Sequence, residues 1–232
     1  MKRRAVLFDV GGPIETEVAW EALMDGIIRR EVRQAIGREV TDAAYDAAWR
    51  GAVESHAPHA YQAVVWELME GDAGRAPLVW SRIAEAARLG RGAPEIRPGI
   101  AELLVALQAQ GVRLALAANQ PVAMLTALGE AGLLHLFAVH GISEVMGLRK
   151  PDPRFFLEIV SALGRPVEEC VMVGDRIDND IAPARALGMG TVLFRGGRHA
   201  GQRARSGREE PDVEVRDVEG LRLGLMRVLQ GE

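Results

Sequence analysis

At 232 residues and a formal net charge of −4, the chain is long enough for one large domain or two small ones, each with its own core. Its 48% hydrophobic and 26% charged content is that of a folded globular protein, and without a basic surplus no nucleic acid is expected as a partner. The single cysteine, Cys170, can form no internal disulfide and has no companion at zinc-ligand spacing, which points to the cytoplasm.

In chain order, Met1-Lys2-Arg3-Arg4 has the charge of an export signal, but the apolar run Ala5–Phe8 stops at Asp9. That run is too short for an export segment or a membrane span, so no membrane is expected. Ala5–Phe8 instead reads as a strand covered on both faces, broken by Gly11-Gly12-Pro13. From Val18 to Leu89 the pattern is helical, with Trp20, Leu23, Ile27 and Ile28 at helical spacing and Trp66 and Met69 repeating the theme. Connector signals follow at Gly90-Arg91-Gly92-Ala93-Pro94 and Arg97-Pro98-Gly99. Thereafter helices are expected at about Ile100–Gln110, Val122–Ala131, Arg154–Leu163 and Ile181–Leu187. They alternate with strands at Val112–Ala117, Phe137–Val139, Cys170–Val173 and Thr191–Phe194. This alternation predicts an α/β fold, a doubly wound parallel sheet with helices on both faces. The helical stretch (residues 17–91) is inserted as a second domain into a core of residues 1–16 and 92–232. The polar, Arg-rich segment Gly196–Pro211 reads either as a flexible surface loop or as a phosphate-steering element.

Ligands of such sheets bind beyond the carboxyl ends of the strands. Four strand ends carry polar groups: Asp9; Ala118-Asn119-Gln120; Lys150 in Gly147-Leu148-Arg149-Lys150-Pro151-Asp152-Pro153; and Gly174-Asp175-Arg176-Ile177-Asp178-Asn179-Asp180. Each has a structural explanation alone, and Asp178 could simply cap the next helix. Together, Asp175, Asp178 and Asp180 place three carboxylates in one turn, which is costly without a cation. Hard oxygen ligands without Cys or His suit Mg²⁺ better than zinc.

The order Phe8-Asp9-x-Gly, Asn119, Lys150-Pro151-Asp152 and Gly174-Asp175-x-x-x-x-Asp180 resembles the haloacid dehalogenase-like (HAD) hydrolase superfamily from Lys2 to about Phe194. The resemblance implies a Rossmann-like core with a C1-type helical cap at Val18–Leu89, and a phosphatase acting on a small phosphorylated metabolite. It implies that Asp9 attacks phosphorus to form an aspartyl-phosphate, with Mg²⁺ held by Asp9, Asp175, Asp180 and the Gly11 carbonyl. Lys150 and Asn119 would neutralise and bind the transferring group, and Asp180 would orient a metal-bound water or hold Lys150. Backbone N–H groups at Gly11 and Gly12 would cradle phosphate oxygens.

Two positions depart from that pattern. Gly11 replaces the usual second Asp, a general acid/base whose loss typically lowers rates about 10²–10⁴-fold. Ala118 replaces the usual Ser or Thr, removing a hydrogen bond of about 1.5–3 kcal/mol that Gln120 could restore. These departures leave open a weakened domain that binds a phosphorylated ligand or a protein. They also leave open a metal-independent carbon–halogen hydrolase, against which Asp175 and Asp180 speak. His56, His59, Trp20, Trp49, Trp66 and Trp80 read as packing or surface residues of the helical insertion, and Arg176 as a surface or salt-bridge residue.

Overall fold

The structure, a computed structural model, describes residues 3–231. The chain forms two compact units, one of Met1–Thr16 with Pro94–Glu232 and one of Glu17–Ala93. Among the described residues, no helix is long and apolar enough to cross a membrane.

The inserted unit is helical: α1 (Val18–Ile36), α2 (Asp42–Glu54), α3 (Ala60–Leu68) and α4 (Ala76–Gly90). Amphipathic spacing brings Met24, Ile28 and Val32 of α1 together with Tyr45, Val64 and Ile83 in one core. Gly37 ends α1 in the left-handed region at φ 71°, and Thr41 caps α2 by accepting from the Ala44 N–H. Polar and aromatic groups are absorbed into the packing. The buried Tyr45 donates to Asp25 Oδ1 at 2.6 Å, and Trp49 meets Tyr61 edge to face with centroids 5.0 Å apart. His56 is buried and Trp66 is exposed.

The larger unit carries the sheet. Its strands are β1 (Ala5–Phe8), β2 (Arg113–Ala118), β3 (Val139–Ile142), β4 (Cys170–Gly174), β5 (Gly190–Phe194) and β6 (Val213–Val215). They lie in the order β3-β2-β1-β4-β5-β6, and every pairing is parallel, a Rossmann-like arrangement. Period-two alternation divides the strand residues between two cores. Val6, Phe8, Leu116 and Val173 face one side, packed by α5 (Ile100–Ala109), α6 (Ala123–Glu130) and, later in the chain, α10 (Val218–Gln230). Ala5, Leu7, Ala117 and Met172 face the other. After the short α7 (Ser143–Met146), that second side is covered by α8 (Pro153–Leu163) and α9 (Ala182–Ala186). Local chemistry explains α8. Asp152 caps it by accepting from the Arg154 N–H, Pro153 opens it, and Phe155, Phe156, Ile159, Val160 and Leu163 form its buried stripe. Gly164 then ends it at φ 63°.

Two elements differ from the sequence expectation. The strand expected at Phe137–Val139 lies instead at Val139–Ile142. Phe137 closes a 3₁₀ turn and packs edge to face on Phe8, at 6.4 Å between centroids. The three-residue β6 (Val213–Val215), just beyond the polar segment, is not expected as a strand from the sequence; as an edge strand it is short and can keep Glu214 outward.

Candidate active site

The strand order reverses beside β1: β2 and β3 extend to one side, β4 to β6 to the other. The carboxyl ends of β1 and β4 therefore flank the crevice where ligands of such sheets bind. Asp9 follows β1, Asp175 follows β4, and both strands are tied there by the Asp9 N–H donating to the Val173 carbonyl at 2.8 Å.

Asp9, Asp175 and Asp180 each offer a carboxylate oxygen, all within 4.8 Å of one another. Asp175 and Asp180 are buried. Between the carboxylates lies the buried ammonium of Lys150, 2.9 Å from Asp9 Oδ2 and 2.6 Å from Asp180 Oδ1. Burial alone would push Lys150 down, but the Asp180 and Asp9 carboxylates outweigh it and hold it above the ordinary lysine value. Burial, joined by the Asp9 charge, pushes Asp180 up to about 6 against the pull of Lys150. Three carboxylates against one ammonium leave an excess of negative charge in a buried place. An all-oxygen set of hard donors with such an excess fits a divalent cation of the Mg²⁺ kind.

Glycines make this crowding possible. A Cβ on Gly174 would lie 2.3 Å from Asp180 Oδ2, and one on Gly12 would lie 2.7 Å from Asp175 Cβ. Gly12 also sits at φ +81°, where side chains are strained. Gly11, the position of the missing second acid, forms an isolated bridge with Glu15. The first N–H after Asp9, that of Val10, donates to the Asp9 carboxylate itself at 2.8 Å, which orients the side chain.

Asn119 and Gln120 follow β2. The Asn119 side chain is bonded twice to the Lys150 backbone: its amide donates to the Lys150 carbonyl and its oxygen accepts from the Lys150 N–H, both at 2.9 Å. Asn119 thus positions the lysine. Ala118 is fully buried and apolar, and the Gln120 carbonyl accepts from Ser143 at 3.4 Å.

The structure also recruits Arg97 and Gln202, which sequence reasoning passed over, and reassigns Asp178, which it named. Arg97 donates to the Gly12 carbonyl at 2.8 Å and stacks over Phe194 at 4.5 Å, bracing the loop after Asp9. Asp178 does not cap the next helix. It pairs with the half-buried Arg176 at 2.5 Å inside the π-turn Ile177–Ile181 and stays outside the three-carboxylate cluster. Gln202, from the segment read as a loop, is buried against that turn. Arg97 and Gln202 carry no local sequence signal, since each acts through a contact distant in sequence, whereas the Arg176–Asp178 pair is the salt bridge the sequence allowed for Arg176.

A sheet with this strand order, ending in a buried Asp–Lys–Asp array, defines a class of α/β hydrolase. The comparisons agree: a family model for haloacid dehalogenase-like hydrolases matches residues 3–188, and the chain belongs to that family. A glyceraldehyde 3-phosphate phosphatase of Methanopyrus kandleri is 36% identical over 119 residues, 51% of each chain. A phosphoserine phosphatase of Thermus thermophilus is 33% identical over 173 residues, 74% of this chain and 65% of the relative. The chain thus spans about half to two thirds of the length of these curated relatives. The solved structure of a predicted phosphoglycolate phosphatase from Haemophilus somnus superposes with TM-score 0.72 at 18% identity, covering 99% of both chains, and shares the fold.

Proposed function

We propose that the protein is a phosphomonoester hydrolase for a small phosphorylated metabolite, with Asp9 as its nucleophile. The observation that carries this reading is Lys150, buried between Asp9 and Asp180 beside Asp175. A carboxylate approaching a phosphate anion meets like-charge repulsion, and the site places fixed positive charge against it. Relatives whose names specify small phosphate esters support the substrate class.

In this mechanism an Asp9 carboxylate oxygen attacks phosphorus as the bond to the leaving oxygen breaks, giving an aspartyl-phosphate. Water then cleaves the acyl phosphate, releasing phosphate and restoring Asp9. Lys150 neutralises charge on the transferring group, and Asn119 holds its backbone in place. Gly11 and Gly12 let the loop backbone approach the phosphate. Gln120, at the end of β2, is a candidate hydrogen-bond donor to it in place of the missing hydroxyl at Ala118. Asp9, Asp175, Asp180 and the Gly11 carbonyl would hold Mg²⁺, which when bound supplies the larger share of the positive charge the phosphoryl group needs. With Gly11 in place of an acid, the chain offers no proton to the leaving oxygen at that position.

The test is hydrolysis of an aryl phosphate with and without Mg²⁺, followed by a panel of phosphorylated metabolites. Turnover that requires Mg²⁺, and falls on the order of 10³-fold or more in Asp9→Asn, is expected. Mg²⁺ binding without turnover would make the protein a binding domain. Metal-independent chloride release from a haloacid would make it a dehalogenase.

A further inference from the structure

We infer that Gln202 is a positioning residue for the metal-binding turn: it holds Ile177 and Asp178 so that Asp175 and Asp180 keep the spacing a cation requires. This inference rests on the proposed Mg²⁺ site and extends it to a segment that no part of that reading uses.

The turn between Asp175 and Asp180 is a single π-turn, Ile177–Ile181. Its ends are closed internally: the Asp180 and Ile181 N–H groups both donate to the Arg176 carbonyl, and the Arg176 N–H donates to Asp180 Oδ2 at 3.0 Å. The Ile177 N–H is satisfied from outside. Gln202 Oε1 accepts from it at 2.6 Å, while Gln202 Nε2 donates to Asp178 Oδ1 at 2.8 Å. One amide therefore fixes a backbone group and a carboxylate in the same turn. Asp178 also receives Arg176 through two nitrogens, at 3.2 Å to Oδ1 and 2.5 Å to Oδ2. Gln202 and Arg176 together hold this fourth carboxylate apart from the Asp9–Asp175–Asp180 cluster.

Gln202 is itself immobilised. It is 1% exposed, its N–H donates to the His199 carbonyl, and its carbonyl accepts from Arg195 just beyond β5. Arg195 is in turn clamped on Glu214 of β6 by two bonds of 3.1 and 2.6 Å. The anchoring thus runs from the β5–β6 edge of the sheet to the metal-binding turn. Clustered carboxylates repel before a cation arrives, so a turn that must keep them close needs such an external brace.

The inference is tested by isothermal titration of Mg²⁺ into the wild-type protein, Gln202→Met and Gln202→Glu, with thermal melting as the check on folding. Gln202→Met keeps the volume and loses both bonds. Gln202→Glu keeps the acceptor for Ile177 but sets a carboxylate against Asp178. Partners bonded directly to metal ligands typically contribute about 10–100-fold in affinity. Gln202 acts one step further out, through Ile177 and Asp178, so Mg²⁺ binding weaker by about 10-fold, the low end of that range, is expected in folded Gln202→Met. The Mg²⁺ concentration giving half-maximal aryl phosphate hydrolysis should rise in step, while the rate at saturating Mg²⁺ falls less. Gln202→Glu should weaken Mg²⁺ binding also. Unchanged Mg²⁺ affinity in a folded Gln202→Met would overturn the role of Gln202 while leaving the phosphatase reading intact. Failure of the wild-type protein to bind Mg²⁺ would overturn both. Should Gln202→Met not fold, Gln202→Glu decides alone: wild-type Mg²⁺ affinity there overturns the inference.

Discussion

Asp180 is the residue on which the chemistry of the site turns, because it is fully buried and yet shares Lys150 with Asp9. Burial pushes its carboxyl up to about 6 from an ordinary 3.8, so ionising it destabilises the metal-free fold. Its stabilising contribution is complete below the ordinary value and is lost as pH rises through about 6. A cation held at the proposed site would have to displace that proton. We therefore expect Mg²⁺ affinity to be flat above about pH 7 and to fall roughly tenfold per unit below about 6, as calorimetry across that range would show. Lys150 supplies the complementary test. Lys150→Met leaves buried carboxylates unpaired and should lower metal-free stability by about 3–5 kcal/mol in urea melts. Adding Asp180→Asn should restore more than half of that loss. Gly11 makes a third prediction, about substrates: with no acid at that position, an aryl phosphate should be hydrolysed about 10²-fold or more faster than glycerol phosphate. Equal rates would show that another group protonates the leaving oxygen.

At the scale of elements, glycines on different strands do different things for the same sheet. Gly141 of β3 lies against α8, where an added Cβ would meet Ile159 Cδ1 at 2.2 Å and the Leu116 carbonyl at 2.5 Å. Gly174 of β4 lies against the π-turn, where the added atom would meet Asp180. Gly141→Ala should therefore lower stability by about 1–3 kcal/mol or more through overpacking, with Mg²⁺ affinity unchanged. Gly174→Ala should displace Asp180 and weaken Mg²⁺ binding. Thermal melts and calorimetry on the two variants separate a packing glycine from a site glycine. The β5–β6 edge belongs to this scale too, because Arg195 and Gln202 make the segment after β5 part of the support beneath the acidic turn.

For the whole molecule, the division into two units separates the carboxylate cluster from the helical core. Every carboxylate of the cluster, with Lys150, belongs to the sheet-bearing unit, whereas Ile83 is fully buried in the core of the helical unit. Ile83→Ala should lower stability by about 2–5 kcal/mol while leaving Mg²⁺ affinity unchanged at temperatures where the protein stays folded. A change in Mg²⁺ affinity would mean that the cluster depends on the helical unit.

Much of this protein was legible in one dimension. Strands buried on both faces must be continuously apolar, so β1, β4 and β5 declared themselves, and their alternation with helices implied a parallel sheet. Asp9, Lys150, Asp175 and Asp180 stood out because polar groups at the ends of such strands need a reason. The register of β3 and the existence of β6 did not declare themselves, since edge strands are short and half exposed, and Phe137 is apolar for packing against Phe8 rather than for pairing. Tertiary structure alone decided how the acids are held: Lys150 between Asp9 and Asp180, Asn119 bonded to the lysine backbone, Arg97 on the Gly12 carbonyl, and Gln202 beneath the turn. The physical reason is separation. Apolar periodicity is local and survives in the sequence, whereas a hydrogen bond between Ile177 and Gln202 joins residues 25 positions apart, which only the folded sheet brings together.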